Sequence, residues 1–379
     1  MPTVYDYLQQ HASLILSDIK RLVQAESPSL NKVAVDRCGD VLQSIMAERL
    51  DVQAQVCPQE KLGNHLLFSV GNGPQVTSIL GHFDTVWECG ELEMVEKDGR
   101  LYGPGVLDMK GGLVQAIWAV RALVQTGALS PHRIQFICPS DEELGSPSSR
   151  KWIEQCAADS GRVLVAEPAV ARTHEAKIAR KGSGRFEVKI TGRSAHAGNN
   201  PEDGISAIEE MAHQILALHS LNAPEAGTTV NVGLASGGGK INVVADHAVL
   251  GVDLRVSNMA EAARVEAAIK DCQPHLAGAQ VVVTGGMSRP PMEQTPQNLA
   301  LFLQAQHAAE RLGITLKGKA VGGGSDGNFT SALGIPTLDG LGATGSGIHA
   351  RDEHIIIDDI PLRTALLAEI ILVSGEVVV

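Results

Sequence analysis

Apolar positions between residues 4 and 25 recur at helical spacing, and the pattern predicts one opening helix there. Two short apolar runs, 66–70 and 76–80, read as strands. Glycines and acids then break the rhythm until about Met109. Beyond it, 112–126 is apolar and helical, 133–138 reads as a buried strand, 148–158 as a helix and 163–166 as another strand. Strands alternating with helices in this way predict a mostly parallel sheet covered by helices on both faces.

Near Gly182 the pattern changes. Residues 185–190 alternate, 204–221 reads as a long helix, and 228–234 and 248–256 are two strands linked through Gly237, Gly238 and Gly239. A helix at 260–271 and a strand at 280–284 complete the order β-α-β-β-α-β, a ferredoxin-like unit. Pro290 and Pro291 mark a hinge back, and from about Leu299 helix and strand alternate again. The chain therefore reads as a larger α/β domain in two parts, 1–181 and 291–379, with a smaller domain, 182–290, inserted between them.

Composition narrows the choice of partner. Hydrophobic residues make up 44% of the 379 positions but aromatics only 3%, so the core must be built from Val, Leu, Ile and Ala. A net charge of -12 argues against nucleic acid or an anionic membrane as a partner. The six cysteines are scattered and form no C-x-x-C pair, which predicts free thiols in a reducing, cytoplasmic compartment. No basic and apolar leader opens the chain and no 18-residue apolar run occurs, so neither a signal peptide nor a membrane span is expected. A periplasmic location would require a leader already removed.

Five places hold residues able to bind a divalent ion. His82 and Asp84 directly follow the run that ends at Leu80. Two positions apart on extended chain, they point the same way, and Asp84 can take the second ring N–H of His82. Asp108 sits in a loop with Gly103 and Gly105 just before a helix, where glycine lets the backbone wrap an ion. Asp141, Glu142 and Glu143 follow a strand. Adjacent carboxylates repel, and a division of labour resolves this, one binding metal and one carrying a proton. Glu167 ends another strand, and His349 and His354 lie near the C-terminus, either one a candidate ligand. Taken singly, each has a plainer reading: a solvated loop, a helix-capping Asp, an acidic turn, a surface histidine. Five in this order, at strand ends and glycine-rich loops, point together to a metal site.

These motifs resemble the dinuclear zinc family that includes bacterial glutamate carboxypeptidase, acetylornithine deacetylase and succinyl-diaminopimelate desuccinylase, over about residues 60–360. The resemblance implies a zinc-exopeptidase-like α/β fold with an inserted lid and dimerisation domain, a homodimer, and two Zn2+ per subunit with Co2+ or Mn2+ as substitutes. It implies that His82 and Glu167 hold one ion, that Glu143 and His349 hold the other, and that Asp108 bridges both, with a cis peptide bond after it. Asp84 then supports His82. Glu142 is the general base that takes a proton from the attacking water and returns it to the leaving amine. His196, in the stretch from Gly192 to Gly198, polarises the scissile carbonyl and holds the oxyanion, from its own or the partner subunit.

Glu rather than Asp at position 167 resembles the carboxypeptidase and deacylase branch, and the pattern is most similar to glutamate carboxypeptidase. There a Lys, an Asn and an Arg hold the substrate's free carboxylate. Lys177, Asn242 and Arg255 stand at the matching positions, with Arg180 and Lys181 competing for the role of Lys177. Ser325 replaces the usual Thr before Asp326. The implied reaction is cleavage of an amide bond to release a C-terminal, glutamate-like amino acid from an N-acyl or peptidyl substrate. The alternative is an N-acyl amino acid deacylase of the acetylornithine deacetylase or desuccinylase type. A non-catalytic binding protein on this fold predicts damaged ligands, and none is damaged. A dinucleotide-binding reading of Gly103 and Gly105 lacks the third glycine.

Overall fold

The computed structural model describes residues 3–129 and 132–373. The domain spans predicted above also take in residues 1–2, 130–131 and 374–379, which lie outside the described residues. The chain forms two compact units. One comprises the chain up to Ala179, Gln294–Val321 and everything from Ser325, and the other comprises Arg180–Glu293 with Gly322–Gly324.

The larger unit opens with α1 (Val4–Gln10) and α2 (Ala12–Gln24), where the apolar spacing predicted a single helix. The chain breaks at His11, whose Nδ1–H donates to the Tyr7 carbonyl at 2.7 Å. Helix α3 (Lys32–Leu50) was not predicted. Asn31 caps it by accepting the Ala34 N–H, and it buries Val35, Cys38, Leu42 and Ile45 at helical spacing. Then come β1 (Gln55–Cys57), β2 (His65–Val70), β3 (Gln75–Leu80), β4 (Val95–Lys97), β5 (Arg100–Tyr102), α4 (Gly111–Gln125), β6 (His132–Cys138), α5 (Arg150–Ala157), β7 (Arg162–Val165) and β8 (Ala176–Arg180).

The inserted unit holds β9 (Gly182–Thr191), α6 (Ala207–His219), β10 (Thr229–Gly237), β11 (His247–Val256), α7 (Met259–Lys270) and β12 (Gln280–Arg289). The larger unit then resumes with α8 (Pro296–Arg311), β13 (Gly318–Val321), α9 (Gly327–Ala332), β14 (Thr337–Leu338), β15 (Gly345–Ser346), β16 (His354–Ile356) and α10 (Ile360–Leu372).

The main sheet runs β1-β2-β6-β3-β7-β14. Strands β6, β3, β7 and β14 are parallel, and β2 joins them antiparallel. Alternation along the strands splits the core. Ile79, Phe136 and Leu164 face one apolar cluster with α4 and α10, while Leu80, Ile137, Val163 and Val165 face another with α5 and Phe329. Both faces are thus covered, as a parallel sheet requires. Helix α4 is apolar all round and buried along most of its length. A second, antiparallel sheet, β15-β16-β5-β4, occupies the region where glycines and acids had hidden any pattern.

In the inserted unit the antiparallel order β10-β11-β9-β12 is ferredoxin-like, as the β-α-β-β-α-β reading predicted. Phe186, Val188, Ile190, Leu250, Val252 and Leu254 cluster with Leu218 of α6 and Val265 and Ile269 of α7. Helix α6 starts later than predicted, because Ser206 caps it by accepting the Glu209 N–H.

Candidate active site

Strands β6, β3 and β7 are neighbours and parallel, so their C-terminal ends lie side by side. That edge is where an open α/β sheet presents its ligand-binding residues. His82 and Asp84 follow β3, the turn with Glu142 and Glu143 follows β6, and Glu167 lies two residues beyond β7. Asp108 arrives from the loop before α4. Gly112 lets α4 start directly against β7's extension, since a Cβ there would overlap the Ala166 carbonyl. Gly105 turns the same loop at a φ of 68°. The Asp108–Met109 peptide bond is cis. His349 stands between β15 and β16, in the left-handed region at a φ of 58°.

These five side chains form one cluster. His82 Nε2 lies 3.3 Å from Asp108 Oδ1 and 3.6 Å from Glu167 Oε1. His349 Nε2 lies 3.3 Å from the other oxygen, Asp108 Oδ2, and 3.1 Å from Glu143 Oε2. Asp108 therefore faces one imidazole with each oxygen, and each imidazole has a second carboxylate of its own. His82 Nδ1–H donates to the Asp84 carbonyl at 3.1 Å, which turns Nε2 to the cluster.

Asp84 ties this side of the site together. Its two side-chain oxygens accept the N–H groups of Glu142 at 3.2 Å and Glu143 at 3.3 Å, and Ser29 Oγ donates to it at 2.7 Å. Asp84 thus holds the loop of the acidic pair as well as the histidine. Ser29 escaped sequence reading because no local motif surrounds it. Lys177, buried, has its Nζ 3.7 Å from Glu167 Oε2. Arg180 donates to the carbonyls of Gly323 and Gly324. His354 bonds the Asp352 carbonyl and tilts against Tyr102, away from the cluster contacts.

Without a cation, crowding shows in the proton affinities. Burial disfavours a charged His82, yet hydrogen bonds to Asp108, Asp84 and Glu167 hold its pKa well above the ordinary imidazole range. Burial likewise opposes an ionised Asp108, but His349 and His82 hold it far below the carboxylate range. Hydrogen bonds to Asp108 and Glu143 push His349 up to about 10, and burial pushes Glu143 up to about 7. Three carboxylates gathered around two imidazoles are an oxygen and nitrogen donor set suited to divalent ions. The ligand atoms of His82, Asp108 and Glu143 lie within 4.8 Å of one another. The residues fit a metal pair sharing Asp108.

In the inserted unit His196 is exposed. Its Nδ1 accepts the N–H groups of Gly198 and Asn199, both at 3.1 Å, so the ring proton sits on Nε2. Asn242 lies beside it, its carbonyl accepting the Ala197 N–H at 3.1 Å. Arg255 does not join them. Position 255 pairs with Ser183 near the start of β9, whereas His247, at the Asn242 end of β11, pairs with Thr191 at the other end of β9. Eight strand residues separate these ends by roughly 26 Å. Arg255 also donates Nε and Nη2 to the two oxygens of Asp253, at 2.9 and 3.1 Å. Within one chain Asn242 and Arg255 thus lie toward opposite ends of β11, too far apart for one carboxylate to touch both.

The chain thus combines a parallel-sheet α/β unit, with imidazole–carboxylate pairs gathered at its strand ends, and a ferredoxin-like insertion, and the paired donors suit metal-dependent chemistry. The chain belongs to peptidase family M20/M25/M40, whose profile matches residues 79–373. It is similar to Carboxypeptidase G2 of Pseudomonas sp. (strain RS-16), 27% identical over 379 aligned positions, covering 95% of this chain and 89% of that protein. It is 28% identical to acetylornithine deacetylase of Proteus mirabilis (strain HI4320) over 258 positions, 62% of this chain and 65% of that one. Among solved structures, aminopeptidase PepT from Bacillus cereus ATCC 10987 superposes with a TM-score of 0.78 at 24% identity, covering 95% of this chain and 98% of that one. The protein is thus a metal-dependent amide hydrolase of this family. Among the described residues no helix is long and apolar enough to cross a membrane.

Proposed function

We propose that the protein releases a C-terminal, glutamate-like amino acid from an N-acyl or peptidyl substrate. The observation that carries this reading is the similarity to Carboxypeptidase G2 along nearly the whole chain, inserted unit included. His82 and Glu167 would hold one ion, Glu143 and His349 the other, and Asp108 both, with zinc as the metal and cobalt or manganese as substitutes. When bound, the ions supply Lewis-acid activation of the amide carbonyl and of the attacking water.

The chain's own residues carry the protons and the orientation. Glu142, placed by the Asp84 contact to its N–H, takes a proton from the water and hands it to the leaving nitrogen. His196, whose Nε2 carries the ring proton, donates to the developing oxyanion. Lys177, Asn242 and Arg255 hold the substrate's free carboxylate, with Asn242 and Arg255 supplied by different chains of a dimer. The inserted unit makes a homodimer. In support, among the described residues β10 is an edge strand paired with β11 alone, and Leu234 on it is exposed. A cytoplasmic location is supported by cysteines that are all free.

A second reading, an N-acyl amino acid deacylase, rests on the comparable identity to acetylornithine deacetylase. Assaying N-acyl-glutamates, N-acyl-ornithines and dipeptides with zinc, cobalt and manganese separates the two. The first reading expects the highest kcat/KM on the glutamate conjugates, and a preference for N-acyl-ornithine would replace it with the second.

A further inference from the structure

Glu353 is 1% exposed and lies four residues beyond His349. Its carboxylate gathers four donors from distant parts of the larger unit. Oε1 accepts the N–H of Leu107 at 2.9 Å and that of Asp108 at 3.1 Å. Oε2 accepts the indole N–H of Trp87 at 2.7 Å and the N–H of Gly105 at 3.3 Å. A carboxylate offers about four lone-pair sites, and all four are used here. The Glu353 carbonyl also accepts the Gly103 N–H, and the Glu353 N–H donates to Ala350 within the His349 turn.

The loop thus held is irregular. Gly103 and Gly105 have positive φ, and Asp108 and Met109 depart from helical geometry. The loop's own hydrogen bonds run from the Val106 N–H to the Gly103 carbonyl and from the Lys110 N–H to the Gly105 carbonyl, while the N–H groups of Leu107 and Asp108 go to Glu353. Glu353 grips it at three backbone N–H groups, the last being that of Asp108 itself. The next residue, His354, pairs with Tyr102 in the adjoining sheet and anchors the grip from the other side.

We propose that Glu353 is a positioning residue that locks the Asp108 loop to the His349 turn, so that Asp108 presents one oxygen to each histidine. The inference rests on the reading of Asp108 as the shared metal ligand. Charge matters as well as shape. The amide nitrogen of a Gln at 353 would face N–H donors at one of the two oxygen positions, so only half the donors would keep an acceptor.

The test uses the full chain as wild type, E353Q and E353A, stripped of metal and titrated with Zn2+ and with Co2+ against a chromophoric chelator. The visible absorption of the Co2+ forms and thermal melting are recorded alongside. Loss of such a support expects metal binding weakened about 10–100-fold in E353A, less in E353Q, with altered cobalt absorption in both. Wild-type affinity and an unchanged cobalt spectrum in the variants would overturn the proposal, whatever happens to the melting temperature. Should E353A not fold, E353Q carries the same test. Should the wild type itself fail to bind two ions, the metal-site reading falls too, which separates the two failures.

Discussion

In the larger unit His82 is 2% exposed, and loops from three parallel strands and a glycine-rich turn close around it. In the inserted unit His196 stands exposed, its ring held through Nδ1 by two backbone N–H groups. The difference separates two kinds of preparation. Buried like charges repel and lose hydration, so the first site is tolerable only with its members paired to each other or to cations. Its geometry must be set by the fold before any substrate arrives. The exposed histidine costs little to maintain, and what is prepared there is its tautomer, an Nε2–H ready to donate.

The sharpest way to break this contrast is to remove what the buried cluster shares. Asp108→Ala should abolish activity and metal content together, read by metal analysis and turnover, whereas chelator-stripped wild type should recover with zinc, cobalt or manganese. Metal retained by Asp108→Ala would deny the sharing. Next, Glu142→Ala should lower kcat by roughly 10²–10⁴-fold while metal content stays at the wild-type level. Near-normal turnover would remove Glu142 from the proton path.

His196→Ala should lower kcat by roughly 10²–10³-fold, again with full metal. Mixing it with Glu142→Ala sharpens the contrast further. Activity reappears in mixed dimers if His196 serves the partner's site, and stays absent if it serves its own. Asp84→Asn should cost about 10–100-fold in metal affinity or activity, because the support acts through His82 and the acidic turn rather than on substrate.

The smallest effect is one of pH. Glu143 binds a proton as pH falls through about 7, and His349, held up to about 10, already carries one. Ions must displace these protons, so metal affinity should decline several-fold from pH 8 to pH 6, measurable by chelator competition. An affinity that rises on acidification would contradict this electrostatic account.

Much of the fold was open to reading from the pattern of apolar positions. The strands ending at Leu80, Cys138 and Val165 each close on an apolar stretch, 79–80, 136–138 and 163–165, buried because both sheet faces are covered there. Helix α3 carries a signal too, at Val35, Cys38, Leu42 and Ile45, but Asp36, Arg37 and Asp40 between them dilute it. The β4–β5 and β15–β16 pairs are only two or three residues long and too short to show a period. The one-helix reading of residues 4–25 failed because spacing alone does not register a break such as the one at His11.

The sequence by itself determined which side chains can serve as ligands and base, since donor chemistry belongs to the residue and strand ends can be read locally. It also determined the β-α-β-β-α-β order of the insertion. Only the tertiary structure decided that Asp108 offers separate oxygens to His82 and His349, and that Asp84 and Glu353 each clamp a distant loop. It alone put Asn242 and Arg255 at opposite ends of one sheet. The reason is that hydrogen bonds and distances between residues as many as 266 positions apart follow from strand order and packing, which no local window of sequence contains.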